Sequence, residues 1–313
     1  MIRPFALAAA LGLAAGPLAA QDRITLVLDW FVNPDHAPIV VAQELGYFAD
    51  RGLEVTVQPP ADPSDAPRMV AAGRADLGVS YQPQLHLQVA EGLPLVRVGT
   101  LVATPLNCLL VRADSDIDTT ADLEGRKVGF SVAGVEEAIL EALLSEVGLT
   151  LDAVELVNVN FSLAPAVMSG QVDAVIGAYR NFALNQMDIE GIPGRCFYVE
   201  EEGIPAYDEL IYIANPETLD RDVIARFLEA TELATQFIVN DPEAGWEVFS
   251  GTARELRDEL NARAWADTWP RLALTPAALD AGRYRDFEAF LSQAGLVEGT
   301  RSVPELAIDV GAE

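Results

Sequence analysis

The chain is poor in positive charge. It carries 20 Lys and Arg against 48 Asp and Glu, a formal net charge of −28. A groove that neutralises phosphates needs clustered cations, so nucleic-acid binding is excluded. Lysine occurs once, at Lys127. Schiff-base chemistry therefore has one candidate amine, at the start of a strand-like run. There are two histidines, His36 and His86, and two cysteines, Cys108 and Cys196. Their spacing is not that of a zinc site. An even cysteine count permits one disulfide, but both lie in apolar strand-like runs, and two buried free thiols is the favoured reading. No Ser-His-Asp set and no phosphate-binding loop occurs. Past the N-terminus no apolar run reaches the roughly 20 residues that span a bilayer. The acidic excess reads as a solvated, self-repelling surface.

What is present begins with an export signal. Arg3 precedes an apolar run over residues 5–18, and Ala19 and Ala20 supply the small residues of a cleavage point before Gln21. This is the pattern of a secretory signal peptide, residues 1–20, too short to span a membrane. No cysteine lies near the cut, so a soluble periplasmic product is expected.

The remainder holds one pattern twice. Residues 24–28, 54–58 and 77–80 read as strands, with helices over about 38–50 and 64–72 between them. Residues 127–131, 154–158 and 174–177 repeat the strands, with helices over about 135–147 and 163–169. Gly52-Leu53 matches Gly148-Leu149, and Gly73 to Asp76 matches Gly170 to Asp173. Apolar runs alternating with amphipathic stretches indicate βαβ units on parallel sheets. Two copies imply an α/β chain of two lobes. A strand at 106–111 leaves the first lobe, and one at 209–214 returns to it. Helical stretches from Asp220 onward then pack on the first lobe. The expected division is 21–112 plus 209–313 for lobe one and 113–208 for lobe two, joined by two crossing hinge segments.

Particular residues carry a resemblance. Asp29-Trp30-Phe31-Val32-Asn33-Pro34-Asp35-His36 comes first, followed by Gly46-Tyr47-Phe48 and Gly52-Leu53-Glu54-Val55. Tyr179-Arg180-Asn181-Phe182, Gln186, Glu190-Gly191 and 204–210 (Ile-Pro-Ala-Tyr-Asp-Glu-Leu) complete it. The chain resembles NMT1/THI5-like solute-binding proteins, and within them the bacterial subgroup that binds formylaminopyrimidine, a thiamine breakdown product. The resemblance implies a two-lobed, type II-like periplasmic binding protein, no cofactor, a small pyrimidine ligand and an ABC permease as partner. It also implies what is missing relative to the pyrimidine synthases of the same family. Their cofactor lysine falls at Ser80, their donor histidine at Gln84, and their cysteine cluster near 204–208, where no cysteine occurs.

In a two-lobed α/β chain the ligand lies at the carboxyl ends of parallel strands. Asp29-Trp30, Ser80-Tyr81, Ser131 and Tyr179 to Asn181 converge there by topology. For an aminopyrimidine, Trp30, Tyr81 and Tyr179 offer stacking faces. Asp29, Glu190 or Glu209 could accept from its amine, and Asn33 or Asn181 could donate and accept. His36 could serve a formamide arm, and Ser80, Tyr207 and Glu209 complete the candidate set. Glu136 and Glu137 occupy the first turn of the second-lobe helix, where an anion would otherwise bind. A neutral or weakly cationic heterocycle is therefore expected, with a sulfonate, nitrate or another heterocycle as alternatives and a synthase-like enzyme further behind.

Overall fold

The computed structural model describes residues 21–310. The expected signal, residues 1–20, lies outside the described residues. In chain order the strands are β1 (Asp22–Val27), β2 (Leu53–Gln58), β3 (Leu77–Ser80), β4 (Val96–Val102), β5 (Asn107–Arg112), β6 (Lys127–Phe130), β7 (Glu155–Asn158), β8 (Ala174–Tyr179), β9 (Gly194–Tyr198) and β10 (Leu210–Ala214). The helices are α1 (Ala37–Glu44), α2 (Asp65–Ala71), α3 (Gln82–Ala90), α4 (Val135–Glu146), α5 (Leu163–Met168), α6 (Arg180–Ile189), α7 (Arg221–Asn240), α8 (Pro242–Gly251), α9 (Glu259–Thr268), α10 (Ala281–Gln293) and α11 (Val303–Leu306).

Two five-stranded sheets form, in the orders β2-β1-β3-β10-β4 and β7-β6-β8-β5-β9. The internal repeat explains their likeness. In each, the first three strands of one copy pair in parallel, and one antiparallel strand inserts beside the third. That antiparallel strand is the one on which the chain has just crossed over: β5 enters the second sheet, and β10 returns to the first. The fold is a two-lobed α/β architecture with two crossings, as the repeat implied. The expected boundary at 112 needs correction, because β5 hydrogen-bonds to β8 and β9, not to the first sheet. Its apolar character suits either sheet, so only the pairing could place it.

The repeated turns have a physical basis. Gly52, Gly73, Gly148 and Gly170 all have positive φ, a helix-ending conformation that glycine adopts without steric cost. The aspartate three residues past Gly73 and Gly170 then ties the third strand to the first. Asp76 Oδ2 accepts from Thr25 N at 2.8 Å, and Asp173 Oδ2 accepts from Lys127 N at 2.8 Å.

Three elements carry no clear sequence signal: α3, β4 and α6. In β4 the cause is Arg97, an arginine with 0% exposure inside an apolar run. Its guanidinium donates to the carbonyls of Pro276, Ala277 and Ala278 and to Thr100 Oγ1, so the charge is buried among acceptors. The cysteines also differ from expectation. Cys108 and Cys196 form a disulfide between β5 and β9. Antiparallel pairing sets their Cα atoms 5.5 Å apart, within bridging distance. Eighty-eight residues of sequence separation hid that proximity.

Asp220 caps α7 by accepting from Asp222 N and Val223 N, and Asp241 caps α8 by accepting from Ala244 N. In each case a carboxylate ahead of the helix satisfies first-turn N–H groups that have no intrahelical partner. Helices α7 and α8 pack on α1, and α11 packs on α3 and β4, whereas α9 lies against α6 of the second lobe. No helix among the described residues is long and apolar enough to cross a membrane.

Candidate ligand site

Where the carboxyl ends of the two sheets face each other, a cavity of about 280 Å³ opens. That is near the lower end of small-molecule sites, about 300–1,000 Å³. The segment after β1 supplies one wall. Asn33 caps the 3-10 turn Pro34–His36, its Oδ1 accepting from Asp35 N at 2.8 Å and its Nδ2 donating to Phe31 O at 3.0 Å. Asn33 N donates to His36 Nδ1 at 3.3 Å, so the imidazole proton sits on Nε2, which donates to Asp29 Oδ1 at 2.8 Å. Tyr81 Oη donates to the other Asp29 oxygen at 3.1 Å. Asp29 is thus fixed from both sides.

The hinge supplies the floor. Glu209 Oε2 accepts from Leu106 N at 2.5 Å and Asn107 N at 2.9 Å, joining the two crossing segments. Burial pushes its carboxyl up to about 7, against those backbone donors. The Tyr179 and Tyr207 hydroxyls lie close to Glu209 but outside hydrogen-bonding geometry, and both are buried without a partner. Unsatisfied buried hydroxyls beside a cavity are groups that a ligand can satisfy. Opposite, Glu136 from α4 lines the cavity at 5% exposure, and burial raises its carboxyl to about 8. Asp35 is likewise raised by burial, to about 6, with the hydrogen bond from Asn181 opposing the shift.

Aromatic rings close the mouth. Trp30 meets Phe161 of the second lobe edge-on at 4.6 Å, and Phe31 lies 4.6 Å from the same ring. Tyr81 and Tyr179 face each other across the lobes at 6.4 Å, near perpendicular. The lobes also touch along one face of α6. Asn181 Nδ2 donates to Asp35 Oδ1 and Thr268 Oγ1, both at 2.7 Å. Asn185 Nδ2 donates to Asp267 at 2.8 Å, and Asp188 pairs with Arg263 at 2.5 Å. Positions 181, 185 and 188 share a helical face, and their contacts bridge the two lobes beside the cavity.

Of the residues singled out in the sequence, Asp29, Trp30, Asn33, Tyr81, Tyr179, Tyr207 and Glu209 line the cavity. The other four do not. His36 is fully buried between Asn33 and Asp29 and orients the carboxyl. Ser80 is buried and donates to Gln84 Oε1 at 2.9 Å. Asn181 is committed to the lobe seam. Glu190 is exposed at the far end of α6, about 15 Å from the helix start at 1.5 Å per residue.

A model of NMT1/THI5-like proteins matches residues 33–245. The chain belongs to the NMT1/THI5-like family. A putative thiamine biosynthesis protein of Haemophilus influenzae is 48% identical over 94% of both chains. A formylaminopyrimidine-binding protein of Halalkalibacterium halodurans is 35% identical over 73% of this chain and 70% of its own. A 4-amino-5-hydroxymethyl-2-methylpyrimidine phosphate synthase of Legionella pneumophila is 27% identical over 84% of this chain and 86% of its own. Among solved structures, the alkanesulfonate-binding protein SsuA of Xanthomonas axonopodis, bound to MOPS, superposes with a TM-score of 0.71 at 16% identity, over 93% of this chain and 99% of that one. That likeness shows the fold, a periplasmic binding-protein architecture.

The cavity of this NMT1/THI5-like chain is also lined by residues outside the candidate set, among them Phe161 and Asn107, with Gln186, which entered only through the resemblance, and Glu136, which entered only as a charge disfavouring an anion. Phe161 lies in the loop between β7 and α5, where no periodicity marks a residue. In the sequence Glu136 stands only as a first-turn acid that disfavours an anionic ligand; its side chain folds back on the preceding loop, where Ser131 N donates to Oε2 at 2.5 Å.

Proposed function

We propose that the chain is the periplasmic solute-binding component of an ABC importer and that its ligand is N-formyl-4-amino-5-aminomethyl-2-methylpyrimidine, captured for thiamine salvage. The observation that carries this reading is the make-up of the cavity wall. Aromatic rings and the acids Asp29, Asp35, Glu136 and Glu209 line it, and no Lys, Arg or His is among the lining residues. A sulfonate or nitrate would sit unpaired among carboxyls, at high desolvation cost. A flat heterocycle with N–H donors suits both the rings and the acceptors. The Halalkalibacterium relative supports this ligand by its name.

Capture works by closure. Lobe one, 21–102 with 210–310, and lobe two, 107–198, swing on the segments between them. The ligand bridges both walls and holds the form that a permease recognises. A synthase reading is favoured by the 25–27% relatives alone. Against it, the synthase lysine and histidine positions are occupied by Ser80 and Gln84, bonded to each other and buried.

Native mass spectrometry tests the assignment. The mature protein, unfolded and refolded to remove solute, is offered an equimolar mixture of the formylaminopyrimidine, hydroxymethylpyrimidine, thiamine, taurine and nitrate. A single adduct at the formylaminopyrimidine mass is expected. A taurine or nitrate adduct, or no pyrimidine adduct, contradicts the ligand assignment.

A further inference from the structure

We infer that Glu136, seated over Gly177, is the residue that reads the amidine edge of the heterocycle, the ring nitrogen and adjacent exocyclic amine, and so determines specificity. The inference rests on the proposed pyrimidine ligand and adds which group recognises which edge.

The carboxyls around the cavity are not equivalent. Asp29 has both oxygens engaged, one by His36 and one by Tyr81. Glu209 binds two backbone N–H groups and has the Tyr179 and Tyr207 hydroxyls and the Arg180 charge nearby. Asp35 is held by Asn181 and Thr268 in the lobe seam. Glu136 takes one backbone N–H on Oε2, from Ser131, has the Val132 backbone beside its carboxyl, and sets Oε1 against Gly177. A Cβ at Gly177 would stand 2.1 Å from that oxygen, so only glycine leaves room for it. Gly177 also has φ +93°, and its N–H is fixed by Asn107 Oδ1 at 2.9 Å. The sequence thus spends a glycine inside β8 to seat this carboxyl.

Among the described residues, no Lys, Arg or His lines the cavity with Glu136. Its titratable neighbours are Glu137 on α4, Glu209 on the returning segment and Tyr81 across the cleft. A carboxyl in such a site holds its proton and then offers an O–H donor beside a C=O acceptor. That pair complements an N: acceptor beside an N–H donor, the amidine edge of a 4-aminopyrimidine.

The test is calorimetric titration with two probes: the formylaminopyrimidine and its analogue lacking the 4-amino group. Wild type is expected to prefer the amino ligand by roughly 10–100-fold, the worth of a buried hydrogen-bond pair. E136A is expected to bring the two affinities within about threefold, since the partner of the missing group is gone. E136Q, whose amide also carries a donor and an acceptor, restores the preference at reduced affinity. E136D, which withdraws the carboxyl by one methylene, replaces E136A should that variant not fold. A preference that survives in E136A or E136D, or is absent from wild type, overturns the inference while the pyrimidine reading stands. Wild type that binds neither probe overturns both.

Discussion

At the scale of residues, the cavity acids govern how the protein responds to pH. Asp35, Glu136 and Glu209 are pushed by burial to about 6, 8 and 7, above the roughly 4 of an unfolded chain. The native state therefore keeps protons that the unfolded state has already released. Stability from these groups is complete below about pH 4 and is lost as pH rises through the folded values. Thermal melts of the ligand-free protein should show the midpoint falling between about pH 5 and pH 8.5, with the upper part of the decline reduced in E136Q. A flat or rising midpoint would count against the burial of these carboxyls. Trp30 makes a second residue-scale case. Its ring meets Phe161 across the mouth, and an aromatic pair contributes about 0.5–1.5 kcal/mol beyond area burial. Trp30→Ala should weaken ligand binding by roughly tenfold or more once the lost apolar contact is added, measured by titration.

At the scale of elements, the α6–α9 seam joins the two lobes beside the cavity. Asn181 touches Asp35 and Thr268 and does not line the cavity. Asn181→Ala should shift the population toward the open form and shorten ligand residence, leaving the preference among ligands unchanged. Stopped-flow dissociation would check this; an altered ligand preference would place Asn181 in the site instead. The disulfide belongs to this scale too. Replacing Cys108 and Cys196 by serine should cost about 2–4 kcal/mol of stability, read from denaturant unfolding, and should leave binding intact because the bridge joins β5 to β9 outside the cavity wall. Elements were the most legible level of the sequence. The Gly-Leu and Gly-x-x-Asp turns recur because they cap helices and clamp strands by the same bonds in each lobe. What stayed hidden was non-local: the sheet that β5 joins, the Arg97 that masks β4, and the cysteine pairing. The site was legible where residues follow strand ends, as Asp29, Tyr81 and Tyr179 do. It was not legible for Glu136 and Phe161, which a backward fold and a loop bring to the cavity.

At the scale of the whole molecule, two lobes of the same construction close on a cavity that has acids and rings but no lining cation. The net charge of −28 makes for a self-repelling acidic chain, while the hinge carboxyl Glu209 ties the crossing segments together. On the proposed function, recognition and closure are one event, since the cavity takes its walls from both lobes. The most direct test is isothermal titration of the refolded mature protein with the formylaminopyrimidine, with taurine titrated alongside. One-to-one binding of the pyrimidine, weakened in Trp30→Ala, and no heat with taurine is the expected result. Heat with taurine and none with the pyrimidine would contradict the account.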